Sequence, residues 1–294
     1  DGTFHLFKGG RDLSATFASA QLGVDDYRFP SLSGALQWTP DFFRVHDAGA
    51  KLFGGESRFA YTIQPLGRPT RPTARFTADF GGVDVAEFTD FQHLRGQRFG
   101  GTARGERVVL EWPLGRFVER RGSGRLVIAP PSGVQPMTAS LAAARAADAD
   151  HAVHEWGPFA PPPLPVHLPI AADLTFQFDP QQVDIDPSRF ATERTNVTFQ
   201  GSTAWGGQSR LAFHVTSSDW QESDQLLAGI MTDFGATTNP VTFGGRGEFD
   251  GTMTGPFRRP TVEGEFSGED LRGFDTLWGE GGGHLLVENN YVRV

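Results

Sequence analysis

Apolar and polar residues alternate one by one along most of this chain, and this two-residue period restricts the fold more than any other feature. In the segment 174–179, Leu174, Phe176 and Phe178 alternate with three polar residues, and the segments 75–80 and 261–266 repeat the pattern. Because successive side chains of a strand point to opposite sides of a sheet, the period predicts strands with one wet and one dry face. Gly-Gly pairs and prolines between these segments predict turns and bulges. The sequence therefore predicts an all-β protein with an elongated, twisted, mostly antiparallel sheet.

One stretch departs from the alternation and predicts the internal boundaries. The Ala-rich segment from Thr138 to His154 predicts a short helix, to which we expect helix to be largely limited. The Pro-rich segment 159–165 that follows predicts an extended linker, since successive prolines fix φ and remove backbone donors. We therefore expect a first β-repeat segment at 1–137, an Ala-rich helix and Pro-rich linker at 138–165, and a second β-repeat segment at 166–294.

Segments in the two halves of the chain resemble each other. The segment 54–63 matches 206–215 position by position, and the segment 36–40 matches 176–180 at a different offset. In the first pair the apolar positions keep their type, while Arg58 and Arg210 occupy the opposite face. The copies therefore preserve a two-faced strand and not a polar cluster that performs chemistry.

Composition excludes several classes of function. The formal net charge is −9, and the one concentration of arginines, 116–125, is diluted by glycines and a glutamate, so we expect no nucleic-acid partner. The chain has no cysteine, which excludes disulfides and thiolate zinc sites and leaves the compartment open. It begins at Asp1 without an initiator Met or a leader sequence, so we expect a fragment of a longer chain.

Two groups of polar residues invite a chemical interpretation. His151, His154 and Glu155 have a spacing that places them on one side of a helix, but their order matches no zinc-enzyme motif. Asp184 and Asp186 flank Ile185 and share one face of a strand, where paired carboxylates are possible and a solvated outer edge is favoured. We expect both groups to be solvated, and we predict no catalytic residue, metal site or cofactor, and no enzymatic activity.

The chain has 26 Phe and 3 Tyr, so its apolar face is dominated by rings without a hydroxyl. Such a face can contact a protein core or a hydrocarbon ligand, and periodicity alone leaves both readings open. The alternation assigns thirteen residues to the predicted inner face. These residues are Leu36, Trp38, Phe59, Tyr61, Ile63, Leu174, Phe176, Phe178, Val183, Ile185, Leu211, Phe213 and Val215.

The segment Gly247–Leu271, with its glycine-bounded strands and a Pro-containing turn, together with the return strand 281–287, resembles the repeat of the AsmA-like TamB family. This family comprises bacterial relatives of bridge-like lipid transfer proteins. The resemblance implies a sheet curled into an open trough, the β-taco, whose apolar inner face guides phospholipid acyl chains. It also implies a periplasmic location in a Gram-negative-type envelope, a parent chain anchored in the inner membrane, and an outer-membrane barrel assembly-type protein as partner.

Two other functions remain open on the sequence. In a surface-exposed structural or adhesive protein, the same strands close on a dry core. In a polysaccharide-acting β-enzyme, outer-face carboxylates carry the chemistry, and we would expect the two halves to reproduce them, which they do not.

Overall fold

The computed structural model describes residues 1–8, 10–24, 26–67, 71–140, 142, 164–204, 206–233, 235, 243–256, 259–273, 276–288 and 291–294. Strands make up 67% of the described residues, which confirms the predicted all-β class. Most of the predicted Ala-rich helix and Pro-rich linker lies outside the described residues.

The strands follow the alternating segments of the sequence. They are β1 (Gly2–Phe7), β2 (Gly10–Val24), β3 (Tyr27–Trp38), β4 (Phe43–Leu52), β5 (Gly55–Gln64), β6 (Thr73–Asp84), β7 (Arg98–Gly100), β8 (Thr102–Pro113), β9 (Arg121–Ala129), β10 (His167–Pro169), β11 (Ala171–Phe178), β12 (Gln182–Ala191), β13 (Thr195–Ala204), β14 (Ser209–Ser217), β15 (Gly244–Gly255), β16 (Thr261–Gly273), β17 (Thr276–Glu288) and β18 (Tyr291–Arg293).

Sixteen strands form one sheet in the order β1-β2-β3-β4-β5-β6-β8-β9-β11-β12-β13-β14-β15-β16-β17-β18. Apart from the skipped short strands, neighbours in the sheet are also neighbours in the chain, as expected for a meander of hairpins. β7 and β10 pair with each other in a separate parallel ribbon. Since the order begins at β1 and ends at β18, the sheet of the described residues is open and is not closed into a barrel.

Two helices lie outside the segment for which helix was predicted, so the expectation that helix is largely limited to 138–154 is wrong. They are α1 (Val85–Phe91) and α2 (Trp220–Asp233), and a 3-10 turn covers Phe117–Glu119. An Asp precedes each helix, with a Glu three residues later: Asp84 and Glu87, then Asp219 and Glu222. Asp219 accepts a hydrogen bond from the backbone N–H of Gln221 at 3.0 Å and so caps α2. This D-x-x-E spacing was the available sequence signal.

The chain forms two compact units whose membership differs from the boundaries expected from the sequence. Unit 1 comprises residues 1–84, 102–127 and 175–180, and unit 2 comprises 85–101, 128–174 and 181–294. The segment 85–101, with α1 and β7, therefore belongs to unit 2 although it precedes most of that unit in the chain.

The structure modifies the expected internal repeat. β4 carries a bulge against β5 between Val45 and Ala48, and β12 carries one against β13 between Ile185 and Ser188, at the offset by which 36–40 matches 176–180. In each bulge two residues of one strand oppose one residue of its partner. The matched segments 36–40 and 176–180 begin in β3 and β11, and the matched segments 54–63 and 206–215 contain most of β5 and β14. In the sheet, β5 is the second strand after β3, whereas β14 is the third strand after β11. The sequence-matched strands β5 and β14 therefore have different positions in the strand order.

Close backbone contact explains why glycines oppose each other in unit 2. Gly251 of β15 faces Gly264 of β16, and a Cβ built on Gly264 would collide with the carbonyl oxygen of Asp250. A Cβ on Gly251 would lie 2.6 Å from the ring of Phe249 and 2.8 Å from that of Phe213. The rings therefore occupy the space above the glycine, and a larger residue must displace them.

We expect Gly264→Ala to lower the free energy of unfolding by about 2 kcal/mol, in the range of overpacking substitutions. Gly283→Ala on the neighbouring strand is the matched control, because its Cβ would lie at an ordinary 3.6 Å from the ring of Phe266. Urea unfolding followed by circular dichroism measures both variants. Equal stability of the two variants would show that the close contact is absent.

Candidate functional site

Three cross-strand rows of apolar residues form one face of unit 1, which we call the unit 1 apolar face. The rows cross β3, β4, β5, β6 and β8, and residues opposite each other in the ladder share a side of the sheet. The first row contains Trp38, Phe43, Ile63, Ala74 and Trp112; the second, Leu36, Val45, Tyr61, Phe76 and Leu110; the third, Ala48, Phe59, Ala78 and Val108.

Aromatic rings contact one another across this face. Tyr61 stacks on Trp112 with a centroid distance of 5.9 Å and meets Phe43 edge-on at 6.3 Å. The rings of Phe59 and Phe76 lie 5.6 Å apart. Burial raises the pKa of the Tyr61 hydroxyl, since removal from water disfavours the phenolate. The rings around Tyr61 therefore shield its hydroxyl partly from water.

Phe176 and Phe178 of β11 lie in unit 1 and stack at 6.5 Å. A Cβ on Gly122 would approach the ring of Phe178 to 2.6 Å, and one on Gly124 would approach Phe176 to 3.5 Å. The two rings thus cover two glycines of β9. Both strands contribute to the same apolar surface because the glycines leave room for the rings.

Unit 2 has an equivalent surface on β12 to β17, which we call the unit 2 apolar face. The first row contains Phe190, Val197, Val215, Phe249 and Phe266; the second, Phe199, Phe213, Gly251, Gly264 and Leu285; the third, Ile185, Gly201, Leu211, Met253, Val262 and Val287. Of the other predicted residues, Val183 lies opposite Thr203, beside the third row. Leu174 is half-buried on β11, in the same alternation as Phe176.

All thirteen residues predicted for the inner face are half-buried; none is fully buried and none is fully exposed. The fully buried apolar side chains of unit 1 are mostly small, such as Ala48 and Ala74. Among the large aromatic residues of the described chain, only Phe249 is buried, with 8% of its surface exposed. A sheet covered by a second layer buries its large side chains, so these two faces are not sealed in that way.

The largest fully buried side chains of the described residues are polar, and they lie at the end of the unit 2 apolar face, where α2 contacts it. Thr195 and Ser217 form the next row after Val197 and Val215, and both are buried. The hydroxyls of Thr195 and Ser217 lie 2.8 Å and 2.7 Å from the hydroxyl of Ser223 on α2. These hydrogen bonds hold α2 against the end of the apolar face. We call this group of buried polar residues, with α2, the end wall.

Glu222 lies within this wall and accepts hydrogen bonds from the hydroxyls of Thr192 and, at 3.2 Å, Thr195. Burial raises the pKa of the Glu222 carboxyl, although the two threonines and the charge of Arg194 act in the opposite direction. Sequence reasoning missed this residue because it belongs to the helix that was not predicted.

Sequence reasoning also missed most of each apolar face, namely nine of the fourteen residues in the unit 1 rows and twelve of the sixteen in the unit 2 rows. Phe43, Val45 and Phe76 follow the same alternation and could have been assigned from it. Trp112 and Phe249 could not, since only the ladder register shows which residue lies beside Ala74 or Val215.

Of the polar candidates, only Asp184 and Asp186 lie within the described residues. Asp184 and Asp186 are both exposed, as expected, and Asp184 accepts hydrogen bonds from Gln182 at 3.1 and 3.0 Å. His151, His154 and Glu155 lie outside the described residues. Across the part of the chain that the structure describes, no group of three or more His, Cys, Asp or Glu side chains is arranged to hold a metal ion.

No helix among the described residues is both long and apolar enough to cross a membrane. No family model matches the chain, and neither a curated protein nor a solved structure matches it.

The raised pKa of Glu222 predicts a pH dependence of stability. The folded state holds the proton of the Glu222 carboxyl to higher pH than the unfolded state does. The stability that this proton contributes to the folded state is therefore present below the unfolded pKa and is lost as the pH rises through the folded pKa. We expect Glu222→Gln, which stays neutral, to gain stability relative to wild type as the pH rises from about 4 to about 8. Urea unfolding across this range tests it, with the exposed Glu193→Gln as control. A difference that does not depend on pH would contradict the assignment.

Proposed function

We propose that the two apolar faces bind phospholipid acyl chains and that the protein guides lipid without performing chemistry. The observation that carries the proposal is the half-burial of all thirteen predicted residues, since a surface of large aromatic side chains that stays accessible needs an apolar occupant. Phe and Leu present no polar atoms that a hydrocarbon chain would have to desolvate. Each methylene that leaves water contributes about 0.8 kcal/mol.

The dimensions of the unit 1 apolar face suit this ligand. Five adjacent strands at about 4.8 Å spacing span about 19 Å from β3 to β8. The hydrocarbon core of a bilayer is about 30 Å thick, so one acyl chain extends over about 15 Å. A single chain can therefore lie along one row and contact about four adjacent strands.

The sequence resemblance to the AsmA-like TamB family gives the proposal its biological setting. In that setting the chain is a segment of a periplasmic protein of the cell envelope whose parent is anchored in the inner membrane. An outer-membrane barrel assembly-type protein is the proposed partner. The rival with a closed dry core is less favoured, because it would bury Phe59, Tyr61 and Phe213, which remain half-buried.

A photo-crosslinking residue at Tyr61 or Phe213 should capture phospholipid when the chain is produced in a Gram-negative-type envelope. The same residue at Arg58 or Arg210 should not, because these positions lie on the opposite faces of the same strands and are exposed. Mass spectrometry of the crosslinked species identifies the lipid. Equal capture at the two kinds of position would reject the assignment of the faces.

Replacing Phe213 with Asp should reduce the binding of a fluorescent phospholipid by at least about tenfold, since a charge facing hydrocarbon costs several kcal/mol. Folding should survive because the half-buried position leaves the carboxylate access to water. Ala212→Asp is the matched control, because it adds the same charge to the exposed face of the same strand. If Phe213→Asp unfolds the chain and neither Tyr61 nor Phe213 captures lipid, the faces close on a dry core and the proposal is wrong.

A further inference from the structure

The polar face of unit 1 carries an arginine cluster on the side opposite its apolar face. One cross-strand row contains Gln37, Arg44, Thr62, Arg75 and Glu111, in that order from β3 to β8. Arg121 at the start of β9 reaches the same glutamate. The arginine-rich segment 116–125 of the sequence therefore meets two further arginines that are distant in the chain.

The charges in this cluster do not cancel. Arg75 donates to one oxygen of Glu111, and Arg121 donates to the other at 3.2 and 3.3 Å. Three guanidinium groups with one carboxylate leave a local charge of about +2 in a chain whose formal net charge is −9. The adjacent positions on β5 and β6 are neutral: Ala60, Gln64, Thr73 and Thr77.

The geometry leaves these guanidinium groups accessible to a ligand. The side chain of Glu111 is 21% exposed, whereas those of Arg75 and Arg121 are 52% and 70% exposed, so the carboxylate lies beneath two outward-facing donors. Arg44 is exposed and its guanidinium lies 5.1 Å from the ring centroid of Phe42. These side chains line a concavity of about 430 Å³, within the range of about 300–1,000 Å³ that small-molecule sites occupy.

Thr62 lies between Arg44 and Arg75 in the row. The two arginines are therefore two strand spacings, or about 10 Å, apart. Their long side chains can bridge this distance by leaning toward each other. Each guanidinium has five N–H donors in a planar fork that matches phosphate oxygens, and each keeps donors beyond those used by Glu111. Thr62 also lines the concavity, and its hydroxyl adds a donor.

We propose that Arg44, Arg75 and Arg121, with Thr62, form a binding site for a phosphomonoester dianion, whose charge of about −2 matches the local charge. The site lies on the face opposite the acyl-chain surface and does not depend on it. The phosphate belongs either to a soluble phosphomonoester or to a lipid headgroup with a terminal phosphate, and the same recognition chemistry serves both.

Isothermal titration of the purified chain with inorganic phosphate at low ionic strength tests the site. We expect saturable binding that weakens as salt rises, because exposed charges are screened. Arg44→Gln and Arg75→Gln should each weaken binding at least about fivefold, as expected for the loss of a charge-assisted contact. Glu111→Gln, which removes the competing negative charge, should strengthen it.

Arg58→Gln is the matched control, because Arg58 lies on the same face of β5 as Thr62, about 13 Å away. Binding by this variant should stay within about twofold of wild type. Absence of phosphate binding, or equal losses in the Arg44, Arg75 and Arg58 variants, would overturn the proposal. Circular dichroism of each variant separates loss of binding from loss of fold.

A second measurement distinguishes the two sources of the phosphate. Glycerol 3-phosphate represents a soluble ligand, and phosphatidylcholine vesicles with and without phosphatidic acid represent a headgroup. Stronger vesicle binding with phosphatidic acid that Arg44→Gln removes would assign the headgroup, while binding of glycerol 3-phosphate alone would assign a soluble ligand. Inorganic phosphate and glycerol 3-phosphate carry no acyl chain, so their binding tests this site alone, and failure of the acyl-chain proposal can be told apart from failure of this one.

Discussion

The register between neighbouring strands is the constraint on which the rest of this protein depends. A slip of one residue at any hairpin would move every side chain of that strand to the other side of the sheet. In unit 1 a slip of β5 that places Thr62 opposite Phe76 would place Arg58 opposite Phe80 and would turn Tyr61 to the side of the arginines. The ring contacts that Tyr61 makes with Phe43 and Trp112 act against this slip. One register therefore places both the apolar and the polar side chains of a strand on their correct sides of the sheet.

The sequence was sufficient to predict the strands and which of their residues are apolar, because side-chain alternation is a local property. It was not sufficient for the two helices: α1 is short, and the D-x-x-E signal before each helix is weak among so many strands. The likeness of 54–63 to 206–215 was misleading as a guide to position, since two strands with similar two-faced patterns resemble each other wherever they lie in a sheet. Strand order depends on pairing, which periodicity does not contain.

The candidate site was predictable to a similar extent. Each of the thirteen predicted residues has the half-buried environment that an accessible apolar face requires. The residues beside them, such as Trp112 and Phe249, depend on non-local register. The arginine cluster was beyond sequence reasoning for the same reason, because Arg44, Arg75 and Arg121 meet only when β4, β6 and β9 are placed near one another. The alternation of residues predicts which side of the sheet a side chain occupies, whereas its neighbours on adjacent strands are known only once the strands are paired.

The bulges at Val45–Ala48 and Ile185–Ser188 change how these strands respond to changes in length. On β4 the apolar face is formed by Phe43 and Val45 before the bulge and by Ala48 and Ala50 after it, so odd positions give way to even ones. Each bulge thus absorbs one surplus residue as local twist while the remainder of the strand keeps its correct side. A lineage that inserts or deletes a single residue here can preserve both surfaces, which gives such a sheet an evolutionary tolerance that a strictly regular ladder lacks.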